Sequence, residues 1–167
     1  MKIVSYPFID IVQTPVGLML VKATQTHIHE ISFIEKEEVN AISIHASALT
    51  GAVKTQLEEY FSGERTHFDL PFSQEGTAFQ QSVWEMLLQI PFGETTSYLQ
   101  LAIKMGDEKT IRAVANANGK NKLALVIPCH RVIGSDGALT GYAWGLKRKQ
   151  LLLDFEGKTS GKKLTLF

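Results

Sequence analysis

The hydrophobic pattern of this chain changes near residue 76, and the change restricts the fold to two unlike parts. Before that point, three segments rich in β-branched and aromatic residues alternate partially and are separated by turn residues, which predicts strands. The predicted strands are Val4–Val12, Gly17–Ala23 and His27–Ile34. A helix is predicted from His45 to Ser62 and ends at Gly63, and His67–Leu70 is predicted as a last short strand.

The part after residue 76 has the pattern of short helices. The segments Thr77–Gln80 and Ser97–Gln100 have the form of a capping box, which predicts a helix start at each. The second of these helices ends at Gly106, and Asp107 then caps a third helix that reaches about Asn118. Two short helices joined by a tight turn with glycine are typical of a helix-turn-helix, although ordinary helix bundles contain such pairs too.

The last segment of the chain adds two elements. A buried strand is predicted from Leu123 to Ile127, and a final helix from Leu146 to Phe155 that ends at Gly157. The side chains predicted to face inward from this helix are Leu151, Leu152 and Phe155. We therefore predict a first domain at 1–76, a second at 77–157 and a basic tail at 158–167.

The chain of 167 residues has no net charge, but its charges are unevenly divided. Residues 1–76 hold 5 Lys+Arg and 10 Asp+Glu, a net of −5, whereas residues 77–167 hold 12 and 7, a net of +5. The split suggests that the second part faces a polyanion. Charges that merely solvate two surfaces would give the same counts.

The single cysteine and the absence of long apolar runs indicate the compartment. No run approaches the roughly 18 apolar residues that span a bilayer, and the first residues lack the apolar region of a secretion signal. A lone cysteine forms no internal disulfide and argues against a structural zinc site. We expect a cytoplasmic protein without membrane association.

That cysteine, Cys129, ends an apolar run and is followed directly by His130 and Arg131. Neighbouring His or Arg lowers the pKa of a cysteine from about 8.5, so this setting predicts a thiol prepared for chemistry. The alternative is a small core residue at the end of a strand.

The helix before Cys129, Thr110–Lys120, consists largely of small residues around one long cation, Arg112. Such a helix suits a DNA groove, and it equally suits close packing on another helix.

The run Ile127–Val132, with Pro-Cys-His-Arg at its centre, resembles the active-site motif of the O6-alkylguanine-DNA alkyltransferases. Four more segments resemble that family in order and spacing: Phe92–Tyr98, Ile111–Val114, Asn118–Asn121 and Gly141–Gly145. The resemblance is close over 77–157 and general over 1–76. It implies an α+β fold, in which a small ribonuclease-H-like roll of sheet and helix precedes a mainly helical, winged helix-turn-helix domain.

The resemblance also implies the reaction. An alkyl group moves irreversibly from O6-alkylguanine, or O4-alkylthymine, in DNA to Cys129, after the damaged nucleotide has flipped out of the duplex, and each molecule acts once. His130 is implied as the base that withdraws the thiol proton. Adjacent strand residues point to opposite faces, so direct contact between the two would need a turn-like backbone or a bridging water, and the family uses water.

Further residues take roles from the same resemblance. Glu156 matches the carboxylate that orients the histidine, although by position alone it reads as a surface residue. Asn121 matches a brace of the active-site turn, Tyr98 matches the group that crowds the target phosphate and helps protonate guanine, and Arg112 matches the filler of the gap left by the extruded base. Other expected DNA contacts are Ala113, Ala115, Asn118 and Arg131. The expected substrate pocket is formed by Val132, Tyr142, Ala143 and Trp144, with backbone groups near Val132 and Ala143 on the guanine edge.

The resemblance implies no cofactor and no metal ion, and its partner is double-stranded DNA carrying O6-alkylguanine, bound by a monomer. Two other functions compete with it. A winged-helix module without chemistry would bind damage only, and Cys129 argues against it. A cysteine hydrolase would use Cys129 and His130, but such enzymes usually bring the histidine from far along the chain.

The indole of Trp144 is expected to narrow the substrate pocket, because some members of the family have small residues in this loop. We therefore predict poor reaction with O6-benzylguanine compared with O6-methylguanine. Trp144→Gly should react faster with the benzyl substrate, as measured by the rate of benzyl transfer to Cys129. An unchanged benzyl rate in the variant would contradict a narrowed pocket.

Overall fold

Three short strands joined by tight turns pair in the order in which they occur along the chain. In the computed structural model, which describes residues 5–162, they form one antiparallel sheet in the order β1-β2-β3. The strands are β1 (Phe8–Thr14), β2 (Gly17–Ala23) and β3 (Ile28–Ile34). The hydroxyl of Thr14 donates to the carbonyl of Gly17 at 2.7 Å and closes the first turn. Pro7, which lacks a backbone N–H, lies just before β1, and Val4 of the predicted strand lies outside the described residues.

The helix α1 (Ala48–Ser62) begins three residues later than predicted. Ser47 caps it by accepting a hydrogen bond from the Thr50 N–H, while His45 pairs with Ile9 through two backbone hydrogen bonds of 3.0 and 2.8 Å. The helix ends, as predicted, at Gly63, which has φ +84°. The sheet pairing removes His45 from the helix because its backbone groups are already used.

Two predicted strands are wrong. His67–Leu70 is irregular, because the side chain of Gln56 exchanges two hydrogen bonds of 2.8 Å with the backbone of Asp69. The run Leu123–Ile127 is buried throughout but forms only one bridge, between Leu123 and Ile31. Leu125 has φ +69°, a left-handed conformation that ends the extended path. The apolar pattern therefore predicted burial there correctly and conformation incorrectly.

Contacts divide the chain into two units. The first extends to Gln74 and also contains Lys122–Ala124, whose backbone pairs with Ile31 through two bonds of 2.8 Å. The second contains Glu75–Asn121 and the chain from Leu125 onward. A single boundary in the sequence cannot describe this division, because Lys122–Ala124 join the first unit through backbone hydrogen bonds to a strand that is distant in sequence.

The second unit is mainly helical and has the helix-turn-helix arrangement. Its elements are α2 (Ala78–Leu87), β4 (Thr96–Ser97), α3 (Tyr98–Lys104), α4 (Ile111–Gly119) and β5 (Val132–Ile133). Both predicted capping boxes are present, at Thr77 and Ser97. Asp107 caps a short 3₁₀ turn that leads into α4, and β4 pairs in parallel with β5. The predicted α+β fold class is confirmed.

The last helix, α5 (Leu146–Ser160), is longer than predicted. It continues through Gly157 and ends at Gly161, with φ +68°, so the predicted tail is helical up to Ser160 and its last residues lie outside the described chain. No helix within residues 5–162 has the length and apolar character needed to cross a membrane.

The buried face of α5 also differs from the prediction. Leu152 and Leu153 are fully buried, whereas Leu151 is 42% exposed. Two charged side chains of this helix, those of Lys149 and Glu156, are also fully buried. Positions 149, 152, 153 and 156 follow the three- and four-residue spacing of one helical face. Two charges therefore lie on the face that packs into the protein.

The helix α4 uses two faces. Val114 and Ala117 are buried toward α2, where the indole N–H of Trp84 donates to the Ala117 carbonyl at 2.9 Å. Arg112 and Ala113 are exposed on the other side. The small residues of this helix therefore serve close packing on one face and leave an open face with a single long cation on the other.

We predict that Trp84→Phe lowers the free energy of unfolding by about 1–3 kcal/mol, because the buried Ala117 carbonyl loses its donor. Chemical denaturation monitored by circular dichroism measures the change. Leu88→Ala, at an exposed position next to the end of α2, is the control and should change the stability by less than about 0.5 kcal/mol. Equal effects of the two substitutions would contradict a stabilising indole hydrogen bond.

Candidate active site

Cys129 lies at the start of a 3₁₀ turn, Cys129–Arg131, that follows Pro128. The turn is closed by hydrogen bonds from the Cys129 N–H to the Ile127 carbonyl at 2.8 Å and from the Arg131 N–H to the Pro128 carbonyl at 3.0 Å. Cys129 and His130 therefore do not alternate as they would on a strand. The backbone has the turn-like form that brings adjacent side chains toward one site.

Burial dominates the acidity of the thiol. Cys129 is 2% exposed, and burial raises the pKa of its thiol to about 11, although a hydrogen bond from Asn121 and the positive charge of Lys149 oppose the shift. The prediction that neighbouring His and Arg would lower this pKa is wrong. Arg131 is engaged elsewhere, and His130 is itself buried and neutral. The resting cysteine is a protonated thiol.

His130 is held by one nitrogen and keeps the other free. Its Nε2 lies 2.8 Å from Oε1 of Glu156, and both side chains are completely buried. Burial lowers the pKa of His130 below its ordinary value of 6.5, although the charge of Glu156 opposes this shift. A carboxylate only accepts, so Nε2 carries the proton and Nδ1 is the basic nitrogen. Nδ1 is buried and has no hydrogen-bond partner among the described residues.

Glu156 is the hub of a buried polar network. It accepts hydrogen bonds from Nε of Arg131 at 2.9 Å, from Nη2 of Arg131 at 2.8 Å and from the Gly93 N–H at 3.1 Å. Burial raises the pKa of Glu156, but the hydrogen bonds from His130 and Arg131 and the positive charge of Arg131 outweigh burial and hold that pKa well below its usual range. Glu156 is therefore ionised and fully paired, in contrast to the surface residue that its position suggested.

Arg131 does not lie where a DNA contact requires it. Its guanidinium is buried, binds Glu156 through two nitrogens, donates from Nη1 to the Ile90 carbonyl at 2.6 Å and lies 5.7 Å from the centre of the Phe92 ring. The expectation that Arg131 contacts DNA is therefore corrected, because its guanidinium is buried and bonded within the protein. The residue orients the carboxylate that orients His130.

Two asparagines brace the active-site turn. Asn121 donates to the Ile127 carbonyl, two residues before Cys129, at 2.9 Å. Asn118 was expected at the DNA, but it is 3% exposed and donates to the Cys129 carbonyl at 3.3 Å and toward the Tyr98 hydroxyl at 3.5 Å. The expectation that Asn118 contacts DNA is therefore corrected: the residue lies in the interior, on the packed face of α4.

Tyr98 connects the turn to the loop before α5. Its hydroxyl donates toward the carbonyls of Thr140 at 3.2 Å and Gly141 at 3.4 Å. Burial and the nearby Cys129 raise the pKa of Tyr98 to about 12, so the phenol keeps its proton. Gly141 has φ +55°, a left-handed conformation that favours glycine.

The predicted pocket residues lie on that loop and on β5. Val132 is fully buried, Ala143 is exposed, and the rings of Tyr142 and Trp144 meet edge to face with centroids 5.3 Å apart. The Tyr142 side chain is only partly covered, yet its hydroxyl is buried without a partner among the described residues, and burial raises its pKa well above 10.0. A half-open ring with a buried hydroxyl is suited to form one wall of a pocket.

One residue of the site was not anticipated from the sequence. Lys149 is fully buried, and its Nζ donates to three carbonyls, those of Val132, Thr140 and Gly141, at 2.5, 2.9 and 3.1 Å. A lysine at the spacing of the apolar face of α5, three residues before Leu152, was the signal that could have identified it. Within residues 5–162, no three His, Cys, Asp or Glu side chains are grouped so as to hold a metal ion.

Comparison with known proteins gives consistent matches. The family model described as "6-O-methylguanine DNA methyltransferase, ribonuclease-like domain" matches residues 7–74, and the one described as "6-O-methylguanine DNA methyltransferase, DNA binding domain" matches residues 78–158. The methylated-DNA–protein-cysteine methyltransferase of Methanosarcina barkeri is 43% identical over 152 residues, which are 89% of this chain and 96% of that protein. The protein of the same description from Mycobacterium tuberculosis is 51% identical over 120 residues, 72% of each chain.

Solved structures give the same result. The crystal structure of the Mycobacterium tuberculosis O6-methylguanine methyltransferase superposes with a TM-score of 0.81 at 39% identity, over 96% of this chain and 98% of that one. A structure from the same organism, described as OGT in complex with DNA, has a TM-score of 0.80 at 40% identity, over 89% and 92% of the two chains. The similarity therefore extends over both units of the fold.

We predict that the free energy of unfolding falls as the pH drops below 6.5. The unfolded chain binds a proton at His130 that the native state resists, so the stability present at neutral pH is lost toward acid. One such group contributes a slope of up to about 1.4 kcal/mol per pH unit. Denaturant titrations between about pH 7 and about pH 5 measure it. His130→Gln should flatten the slope, His27→Gln at an exposed position is the control, and an unchanged slope in His130→Gln would contradict a buried neutral imidazole.

Proposed function

The chain belongs to the 6-O-methylguanine DNA methyltransferase family, and we propose that its Cys129 is the residue that takes the alkyl group from DNA. The activity is DNA repair by transfer of a methyl group from methylated DNA to a cysteine of the protein itself, and DNA is its partner. One observation carries the assignment of the residue. The single cysteine of the sequence is buried next to His130, whose free Nδ1 and Glu156-bound Nε2 form the base and orienter that a thiol nucleophile needs.

The first step is removal of the thiol proton. Since the pKa of Cys129 is about 11, the sulfur rests as a neutral thiol and becomes a nucleophile only when a base takes its proton. Nδ1 of His130 receives that proton, through the water that the family uses. The imidazolium that forms is stabilised by the ionised Glu156 at 2.8 Å. The base is effective because the carboxylate is already charged and in place.

The second step is displacement at the alkyl carbon. The thiolate sulfur forms a bond to that carbon while the bond from the carbon to guanine O6 breaks, and the electron pair of the broken bond passes to the purine. The phenol of Tyr98, whose pKa of about 12 keeps it protonated, donates a hydrogen bond toward guanine N3 and stabilises the developing negative charge. The departing guanine anion then takes one proton from water, and the proton held by His130 returns to water. Cys129 then carries a stable thioether, guanine is restored, and the protein does not turn over.

The target atom lies inside the duplex, so we infer that the damaged nucleotide flips out of the helix. Flipping costs a few kcal/mol, and least for a mispaired base such as O6-alkylguanine. Arg112 is exposed on α4 beside Ala113, with Ala115 half-buried on the same helix, and this supports insertion of the guanidinium into the gap while the small residues press against the backbone. We propose O4-alkylthymine as a second substrate, because its alkyl carbon is also bound to an exocyclic oxygen and the same displacement would apply to it.

The flipped base would enter between β5 and the loop before α5. Backbone groups near Val132 and Ala143 read the guanine edge, and the rings of Tyr142 and Trp144 form the wall beside the alkyl group. Binding to DNA rests on the excess of basic residues after residue 76, so affinity falls with salt and depends little on sequence. We propose a monomer acting on double-stranded DNA in the cytoplasm, where a reducing environment keeps a lone thiol free.

Intact-mass spectrometry after incubation with a duplex that contains O6-methylguanine tests the assignment. The mass should increase by about 14 Da, one methyl group per protein, and peptide mapping should locate the adduct on Cys129. Cys129→Ser is the control and should stay unmodified. Further incubation with excess duplex should add no second group. Methylation of another residue, or continued transfer beyond one equivalent, would contradict the proposal.

A further inference from the structure

The ammonium group of Lys149 is buried away from solvent and donates its hydrogen bonds to backbone carbonyls. Its side chain is fully buried on α5, and Nζ donates at 2.5 Å to Val132, at 2.9 Å to Thr140 and at 3.1 Å to Gly141. Three donors meet three acceptors, which is the full capacity of an ammonium group. A buried charge costs several kcal/mol even when it is paired, and an apolar side chain of similar size would fill the space at less cost. Core packing alone therefore does not account for this residue.

The three carbonyls belong to the two segments between which the flipped base is proposed to enter. Val132 comes directly after the turn that carries Cys129 and His130. Thr140 and Gly141 begin the segment 140–144, which we call the substrate loop and which ends with the rings of Tyr142 and Trp144. Lys149 thus connects the substrate loop to β5, the strand that follows the turn at Cys129, through hydrogen bonds to both.

Tyr98 is fastened at the same point. Its hydroxyl reaches the carbonyls of Thr140 and Gly141 at 3.2 and 3.4 Å, and its ring centre lies 5.7 Å from Nζ of Lys149. A cation at this distance from an aromatic face is attracted to it. The proton donor, the substrate loop and the strand behind Cys129 therefore share one buried cation.

We propose that Lys149 is a positioning residue that holds the substrate loop and Tyr98 against β5, so that a flipped guanine presents its alkyl carbon in line with Sγ of Cys129. The proposal rests on the proposed function and adds a residue to it. Lys149 acts through the carbonyls it binds, since its three protons are used on them. A misplacement of about 1 Å between reacting groups costs on the order of 100-fold in rate, so a clamp of this kind controls transfer without touching the reacting atoms.

A second way for Lys149 to act must be distinguished from this one. Its positive charge lowers the pKa of Cys129, although less than the hydrogen bond from Asn121 does. If the charge on the thiolate were its main contribution, every reaction of the thiol would slow when the charge is removed. If the clamp is its main contribution, only the reaction that needs a correctly held guanine slows.

The titration of Lys149 provides an independent readout. Burial lowers the pKa of Lys149 to about 8, and the nearby Cys129 opposes the shift. The titratable groups that face it are Cys129, with a pKa of about 11, Tyr98, with a pKa of about 12, and His130, whose pKa lies below 6.5. None of these three changes charge just above pH 8. Above that pH the lysine loses one donor and its charge, so transfer from DNA should slow as the pH rises through about 8.

The experiment compares the wild type with Lys149→Met and Lys149→Arg, and uses Lys147→Met, an exposed lysine on the same helix, as the matched control. Three quantities are measured: the single-turnover rate of methyl transfer from a duplex with O6-methylguanine, the rate of Cys129 alkylation by iodoacetamide, and the affinity for the duplex. Lys149→Met should lose on the order of 100-fold in transfer, keep the iodoacetamide rate and keep the affinity. Lys147→Met should match the wild type in all three.

The pH profile completes the test and does not depend on the methionine variant folding. Transfer by the wild type should decline above about pH 8, and Lys149→Arg should show no decline there, because a guanidinium stays charged. A parallel loss of transfer and iodoacetamide rates in Lys149→Met, or a wild-type profile without the decline, would overturn the proposal. Failure of the proposed function is a different result, in which the wild type leaves Cys129 unmethylated by the duplex.

Discussion

The buried carboxylate of Glu156 is the group on which the geometry of the site depends. It binds the imidazole of His130, the guanidinium of Arg131 and the Gly93 N–H, and no part of it is exposed. Ionised groups are costly to bury unless they are paired and hydrogen-bonded, and here each carboxylate oxygen has partners. The turn at Cys129 and the length of α5 are both required, since the carboxylate comes from near the end of that helix. Removal of Glu156 would leave a buried guanidinium without its counter-charge and an imidazole without a fixed orientation.

The cysteine at this site rests as a neutral, buried thiol. Burial keeps the thiol protonated, with a pKa of about 11, and burial also keeps His130 neutral and ready to accept a proton. The helix α5 supplies both charges that organise this chemistry. Glu156 lies seven residues after Lys149, about two helical turns, so one face of this helix binds His130 through Glu156 and the substrate loop through Lys149.

Local signals in the sequence predicted much of the fold and the central part of the site. The capping boxes at Thr77 and Ser97 and the stop at Gly63 depend on side-chain and backbone hydrogen bonds within one turn, so they are present where the pattern indicated. Cys129 and His130 were identified from a short motif. Predictions were wrong where distant segments decide: the run Leu123–Ile127 is not a strand, because its pairing with the sheet is limited to the single bridge at Ile31. Periodicity read without the packing of α5 also placed Leu151 inside, where it is not.

The sequence by itself determined which residues are capable of the chemistry, because one cysteine, its histidine neighbour and the helical punctuation around them are local properties of the chain. Only the tertiary structure decided what state those residues are in. It showed that burial, and not the neighbouring His130 and Arg131, sets the pKa of the thiol, it placed Arg131 and Asn118 in the interior instead of at the DNA, and it identified Lys149 as a buried cation. The physical reason is that burial, charge pairing and hydrogen bonding between segments set pKa values and orientations, and these depend on contacts between residues far apart in the sequence.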